Sequence, residues 1–215
     1  MIYEYKTLLT RGQDEIIIEK SRFIAYSMPI KVEQDAVAFI ESIKTKHKDA
    51  THNVPAYVAG LNNEIQRYSD DGEPSGTAGI PMLEVIKKED LRNVAVVVTR
   101  YFGGIKLGAG GLVRAYTSSA KIGIESGKII FKKYYQTIKM QIEYTLLGKI
   151  QNDIIHNGYT IKEIIYSESV DLYIFVPFNE VDLFKGRATE WTNARCNLID
   201  GEKEYLTVID GKIVL

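Results

Sequence analysis

The chain switches repeatedly between two hydrophobic periods, and the switches predict its elements. Across residues 11–29, Ile16, Ile18, Phe23 and Ala25 fall on faces that alternate at period two. That pattern predicts two strands with a turn at Glu19-Lys20-Ser21. Across residues 33–47 the period changes. Val32, Ala36, Phe39, Ile40 and Ile43 recur at three- and four-residue steps, as on one face of a helix. His47 and Lys48 suit its C-terminal end, where cations meet the negative pole of the dipole. Residues 51–60 read as a strand in which Pro55 lacks a ladder donor, which predicts an edge or a bulge. Residues 69–79 are a loop by composition, and a short helix follows with Pro81 in its first turn and Leu83 and Ile86 inward. The run Val-Ala-Val-Val-Val-Thr at 94–99 predicts a strand buried on both faces. It leads through Arg100-Tyr101-Phe102-Gly103-Gly104 into a helix starting near Gly110, with Leu112, Val113, Tyr116, Ala120 and Ile124 inward.

Residues 129–144 are extended throughout and hold the best boundary, around Lys132-Lys133-Tyr134. It divides a domain of 1–134 from one of 135–215. The second opens with a strand (Ile138, Met140, Ile142 and Tyr144 alternating). Thr145 then reads as the N-cap of a helix carrying Leu146, Leu147, Ile150, Ile154 and Ile155, stopped by Gly158. Strands follow at 159–166 and 170–176. Asn179 can cap a second helix with Val181, Phe184, Ala188 and Trp191 on one face, and a last strand or two lies between Cys196 and Val208. The order β-α-β-β-α-β is the ferredoxin-like split arrangement, so the fold class is α+β in two domains.

Composition fits that division. The 215 residues suffice for two small domains, and 45% hydrophobic content supports a packed core. No run approaches the roughly 20 apolar residues of a membrane span. The start Met1-Ile2-Tyr3-Glu4-Tyr5-Lys6 lacks the features of a signal peptide. One cysteine, Cys196, excludes an intramolecular disulfide framework. The expectation is a cytoplasmic protein with no membrane partner. The net charge of −1 divides unevenly: residues 1–134 carry 19 Lys+Arg against 16 Asp+Glu, and residues 135–215 carry 8 against 12. A surplus of three positive charges permits an approach to RNA phosphates, but it is far below the clustered basicity of a dedicated nucleic-acid domain. No DNA partner is expected.

Enzyme chemistry finds little support in the residues. The three histidines, His47, His52 and His156, have no second ligand at metal spacing, and Cys196 has no CxxC partner. Neither a metal nor another cofactor is expected. Ser75 sits in Pro-Ser-Gly, outside a G-x-S-x-G elbow. Gly103 and Gly108 have the glycine spacing of a phosphate loop, but Ala109 stands where its lysine belongs. What remains is a glycine-rich turn opening a helix, whose free N–H groups can hold an anion, with Arg100, Lys106 and Arg114 around it. The same glycines also serve simply to turn the backbone and let the helix pack closely. Arg114 sits early in that helix, where the dipole disfavours a cation, so an anionic partner is expected from Asp70, Asp71, Glu73 or a ligand phosphate.

Three segments together resemble the YigZ/IMPACT family: Thr51-His52 through Ala56-Tyr57; Ser69-Asp70-Asp71-Gly72-Glu73-Pro74-Ser75-Gly76-Thr77-Ala78-Gly79; and Val97-Val98-Thr99-Arg100-Tyr101-Phe102-Gly103-Gly104-Ile105-Lys106-Leu107-Gly108. The resemblance implies a first domain like the second domain of a small-subunit ribosomal protein, also seen in GHMP kinases. It implies a ferredoxin-like second domain similar to the last domain of elongation factor G. Eukaryotic relatives regulate translation initiation and carry an extra N-terminal domain, which is not expected here. The family brings no catalytic residue set.

The reading that follows is a translation-linked binding protein rather than an enzyme, engaging RNA, the ribosome or a ribosome-associated protein. The residues proposed to meet the partner or an anion are Arg100, Gly103, Gly104, Lys106, Gly108, Gly110, Gly111 and Arg114. The supporting ones are His52, Tyr57, Asp70, Asp71 and Glu73. The rival is an enzyme or a binder of small anionic ligands, using the groove between the acidic loop 69–76 and the glycine-rich loop 103–111.

Overall fold

The structure, a computed structural model, describes residues 1–214, and the chain divides into two units. One unit is Tyr5–Phe131. The other joins Met1–Glu4 to the segment from Lys132 onward. The first residues, assigned on sequence to the 1–134 domain, stand with the later segment because they pair with it. Tyr134 N–H donates to the Tyr3 carbonyl at 2.8 Å, and Lys133 Nζ lies 2.8 Å from Glu4 Oε2.

The Tyr5–Phe131 unit takes in most of β1 (Glu4–Leu8), then β2 (Gly12–Ile18), β3 (Ser21–Pro29), α1 (Glu33–Lys46), β4 (His52–Ala59), β5 (Ile65–Tyr68), α2 (Gly79–Lys88), β6 (Val94–Tyr101) and α3 (Gly108–Ser126). Glu19 and Lys20 both take left-handed backbone (φ 45° and 63°), the geometry that turns β2 straight back into β3. The sheet order is β2-β3-β6-β4-β5, with every pairing antiparallel. β6 lies at its centre. Val94, Val96 and Val98 pack with Met82, Ile86 and Tyr116 of α2 and α3, while Ala95 and Val97 pack with Phe39 and Ile40 of α1. Both faces of the strand are therefore covered, which is why its sequence is an unbroken apolar run.

Four local expectations change. Val32 is exposed and acts as the N-cap of α1, where the Asp35 carboxylate accepts the Lys31 and Val32 N–H groups at 2.8 and 3.1 Å. Pro55 lies inside the sheet, not on an edge strand, and its register with β6 is unbroken. Its carbonyl accepts from Ser69 N–H, so its missing donor faces the side where β5 has just ended. Helix α3 begins at Gly108, before Gly110, and Val113 faces solvent.

His47 closes α1 in a buried chain: Tyr26 Oη lies 2.7 Å from its Nε2 and Tyr101 Oη lies 2.9 Å from its Nδ1. Burial, reinforced by Lys46 and Arg22, holds its pKa below the usual histidine value. The unfolded chain therefore binds the proton more readily. Stability should be full above about pH 6.5, the unfolded value, and should fall with acidification towards the lower folded value. Urea melts between pH 7.5 and 5 should show this loss, reduced in His47→Gln.

In the second unit, β7 (Ile129–Ile142) enters from the first and is followed by α4 (Leu147–His156), β8 (Thr160–Tyr166), β9 (Val170–Pro177), α5 (Val181–Thr192), β10 (Asn197–Ile209) and β11 (Lys212–Val214). The sheet runs β11-β10-β7-β9-β8, and β1 also pairs with β7. Ile138, Met140, Leu172 and Ile174 meet Ile150, Ile154, Phe184 and Ala188 in one core. Gly158, at φ +79°, ends α4 as expected. Thr145 and Asn179 are not N-caps. Each lies within a 3-10 turn, Tyr144–Leu146 or Phe178–Glu180, that leads into its helix, so the caps are Leu146 and Glu180. Among the described residues, no helix is long and apolar enough to cross a membrane.

Candidate functional site

The acidic loop spends its three carboxylates on the fold, each in a different direction. Asp70 sits at the N-terminus of α2. Its Oδ1 accepts from Gly79 and Ala78 N–H at 2.8 and 3.2 Å, and its Oδ2 accepts from Gly76 N–H at 2.8 Å. A negative charge on unpaired amides at the positive pole stabilises the helix start. Asp70→Ala should therefore cost about 1–2 kcal/mol, and Asp70→Asn less, in thermal or urea melts. Asp71, in left-handed backbone (φ 48°), turns to β4: its Oδ2 accepts from Asn53 N–H at 2.6 Å and its carbonyl accepts from His52 Nδ1 at 2.7 Å.

Glu73 turns inward. The turn closed by its N–H on the Asp70 carbonyl places the carboxylate beneath the loop. Its side chain is 3% exposed. Oε1 accepts from Arg100 Nη1 and from Tyr116 Oη, each at 2.7 Å, and lies 3.7 Å from His52 Nε2. Arg100 is 5% exposed and its Nη2 donates to Ser21 Oγ at 3.3 Å. Burial first, and then the bond to Glu73, raises the Tyr116 pKa far above the usual tyrosine value, so this hydroxyl stays a donor. Among Asp70, Asp71 and Glu73, the arginine's partner is Glu73.

The glycine-rich loop wraps the other side. Gly103 lies against the β2–β3 turn: a Cβ there would stand 2.0 Å from the Lys20 carbonyl carbon, and its N–H donates to Ser21 Oγ. Gly103 is thus fitted to packing rather than to an external anion. Gly104 takes φ +85°, the left-handed backbone that turns the chain towards α3. Gly108, Gly110 and Gly111 form the first turn of α3. That helix has Leu107 as N-cap, no side-chain cap and no acidic residue in its first turn. Arg114 Nη1 comes within 3.7 Å of where a Gly110 Cβ would be, so its guanidinium folds back beside this turn. Lys106 and Arg114 are both exposed, and neither has an ion-pair partner among the described residues.

A groove of about 390 Å³ opens between the two loops, bordered by His52, Glu73, Arg100, Phe102, Lys106 and Gly108. A second depression of about 480 Å³ lies beside Arg114 and also touches Lys106. Tyr57 does not join the site. It packs on the α1 face of the sheet and donates to Glu33 Oε1 at 2.8 Å; its pKa is pushed up to about 12, first by burial and then by that bond. Two residues do join it that the sequence did not single out for it. Tyr116 reads simply as an inward helix residue, although a buried tyrosine hydroxyl needs a partner. Ser21 reads as a turn residue. Cys196 lies in the other unit, its Sγ 3.8 Å from the Ala188 carbonyl, with no part in this arrangement.

Comparison with known proteins covers both units. Residues 19–124 match the family model of the Impact N-terminal domain, and residues 140–195 match that of a domain of unknown function, DUF1949. The chain is 47% identical over 206 residues to IMPACT family member YvyE of Bacillus subtilis, covering 96% of this chain and 95% of that one. It is 34% identical over 191 residues to IMPACT family member YigZ of Escherichia coli, covering 85% and 90%. A Saccharomyces cerevisiae relative, Protein IMPACT homolog, is 34% identical over 100 residues, 45% of this chain and 39% of its own. A crystal structure of a hypothetical protein superposes with a TM-score of 0.60 at 30% identity, covering 94% of this chain and 99% of the other.

Proposed function

The chain belongs to the IMPACT family, and from that premise we propose that it acts in translation as a binding protein, meeting RNA on or near the ribosome. One observation carries the reading. The carboxylates of the acidic loop are all turned to internal partners, while Lys106 and Arg114 stand exposed, with no ion-pair partner among the described residues, beside the uncapped start of α3. Two cations at the positive end of a helix are electrostatically unfavourable until an anion joins them, and a nucleic-acid backbone supplies phosphates at such a surface. The folds agree with this. The Tyr5–Phe131 unit is read as the ribosomal-protein-like domain, akin to GHMP kinases. The later unit, with four of its strands ordered β10-β7-β9-β8 in a βαββαβ chain, is read as ferredoxin-like, akin to the last domain of elongation factor G.

The test is co-sedimentation with ribosomes, with and without ribonuclease, across a salt series. Retention should fall steeply with salt, and each lost phosphate contact should lower the slope by roughly one unit. Lys106→Ala should weaken retention while changing stability by no more than about 0.5 kcal/mol, as for a surface site. Retention indifferent to salt and to ribonuclease would overturn an RNA partner.

A further inference from the structure

We propose that the outer edge of β8 is a docking site for an extended, arginine- or lysine-rich segment of a partner protein, which joins the sheet as a further strand. β8 ends the sheet order β11-β10-β7-β9-β8, and among the described residues no strand pairs with its outer side. An unpaired edge offers its backbone N–H and carbonyl groups to any extended chain, and folded proteins blunt such edges with charges, bulges or short strands. The opposite edge of this sheet is blunt in that sense, because β11 is only three residues long. β8 is blunted over its first half alone. Its bulge falls between Ile161 and Glu163, where Lys162 stands. From Glu163 to Tyr166 the register with β9 is regular.

The side chains of this second half suit an incoming strand. Ile165 is 43% exposed and Tyr166 is 60% exposed. They are successive residues of a strand, so they point to opposite faces. An added strand sends alternate side chains to the same two faces and meets an apolar neighbour on each. Tyr144 enlarges the Tyr166 side. The two rings stack at 6.4 Å and 24°, and Tyr144, 49% exposed, is tied to the β8–β9 turn by its hydroxyl, which donates to the Ser167 carbonyl at 2.6 Å. Two exposed tyrosine rings fixed in this way can receive a guanidinium or an ammonium group.

The charge of the partner follows from the carboxylates. Glu143 precedes Tyr144, Glu168 lies in the turn after Tyr166, and Glu163 stands on the edge itself. All three are exposed, and none has an ion-pair partner among the described residues. Asp171, opposite Ile165 on β9, is already paired with Lys139 at 2.8 Å and is not part of the site. Three uncompensated carboxylates around an aromatic pair favour a cationic chain and disfavour a nucleic acid. Lys162 marks the bulge end, so the basic residues of the partner belong at the Tyr166 end. The seven-residue edge strand β2 lacks these features: its Glu15 is paired with Arg22, and its Asp14 accepts the Glu15 N–H. This inference does not depend on the translation role.

Fluorescence anisotropy and hydrogen–deuterium exchange on the full chain test it, with a labelled peptide of alternating arginine and valine as the probe. The peptide should bind, and it should slow amide exchange within residues 160–166 while β2 exchanges as in the free protein. The same peptide with N-methylated amides keeps its charge but cannot donate along a strand, and it should bind about tenfold more weakly or worse. The counterpart with glutamate in place of arginine should not bind. Glu143→Lys with Glu168→Lys should abolish binding and leave melting unchanged, since both sites are exposed. Lys106→Ala should bind the peptide as the parent does. Equal binding by the N-methylated or the glutamate peptide would overturn the assignment, as would no binding at all, full binding by the double variant, or slowed exchange on β2 in place of β8. Slowed exchange in β8 that grows with protein concentration in the absence of peptide would give the edge to a second copy of the chain, and would overturn it too. Ribosome retention that survives such a failure would leave the translation reading standing, and peptide binding without ribosome retention would do the reverse.

Discussion

Arg100→Ala should lower the stability of the Tyr5–Phe131 unit by about 3–5 kcal/mol, the cost of leaving a buried carboxylate uncompensated. The magnitude follows from burial on both sides: the side chains of Arg100 and Glu73 are 6% and 3% exposed at a contact of 2.7 Å. Deleting the guanidinium leaves Glu73 with the Tyr116 hydroxyl and a longer approach to His52. It also frees Ser21 Oγ, which bridges Arg100 Nη2 and Gly103 N–H, so the glycine-rich loop loses part of its tether. Far-UV circular dichroism in urea measures the loss; tryptophan fluorescence would not, because the single tryptophan, Trp191, belongs to the other unit. A companion variant separates the charge from the packing. Arg100→Met with Glu73→Leu removes both ions and keeps apolar volume, and it should recover much of the loss, since exchanging a buried pair for hydrophobic residues is often neutral. Arg100→Ala melting like the parent would show that Glu73 is neutralised some other way.

The pairing of Arg100 was only half legible in the sequence. An arginine closing an apolar run must find an anion, but Asp70, Asp71 and Glu73 are near neighbours and nothing in their spacing separates them. Backbone geometry does so. The left-handed Asp71 and the turn from Asp70 to Glu73 send the three carboxylates to α2, to β4 and to the interior. Tyr57, by contrast, could have been excluded from the site by strand alternation. It lies five positions after His52, so the two point to opposite faces of β4, and the structure places Tyr57 on the α1 side. The unbroken run of β6 was readable because burial on both faces leaves no polar position. The helix starts at Thr145 and Asn179 were not, because a 3-10 turn displaces the cap from the residue whose side chain is suited to it. The hydroxyl of Tyr116 was invisible for a related reason: periodicity reports the face on which a residue lies, not what its polar tip touches.

Phe23→Ala should destabilise the same unit by about 3–5 kcal/mol, the range for emptying a buried aromatic site. Phe23 is 0% exposed and stands opposite Arg100 in the β3–β6 register. Its ring meets Tyr116 edge-on at 5.4 Å and 89°, and the Arg100 guanidinium lies 5.3 Å from its centroid. The ring is therefore the apolar support beneath the polar triad, holding the two donors that converge on Glu73. Removing it creates a cavity and also frees Arg100 and Tyr116 to move, so its cost should not add to that of the triad. In a double-mutant cycle, Phe23→Ala and Tyr116→Phe together should cost less than the sum of the two single changes, by at least about 0.5 kcal/mol, as for residues in contact. Phe23→Leu, which keeps most of the volume, should cost clearly less than alanine. Strict additivity would mean that the ring fills space without positioning the triad, and the link from core packing to the geometry of the groove would then be broken at this residue.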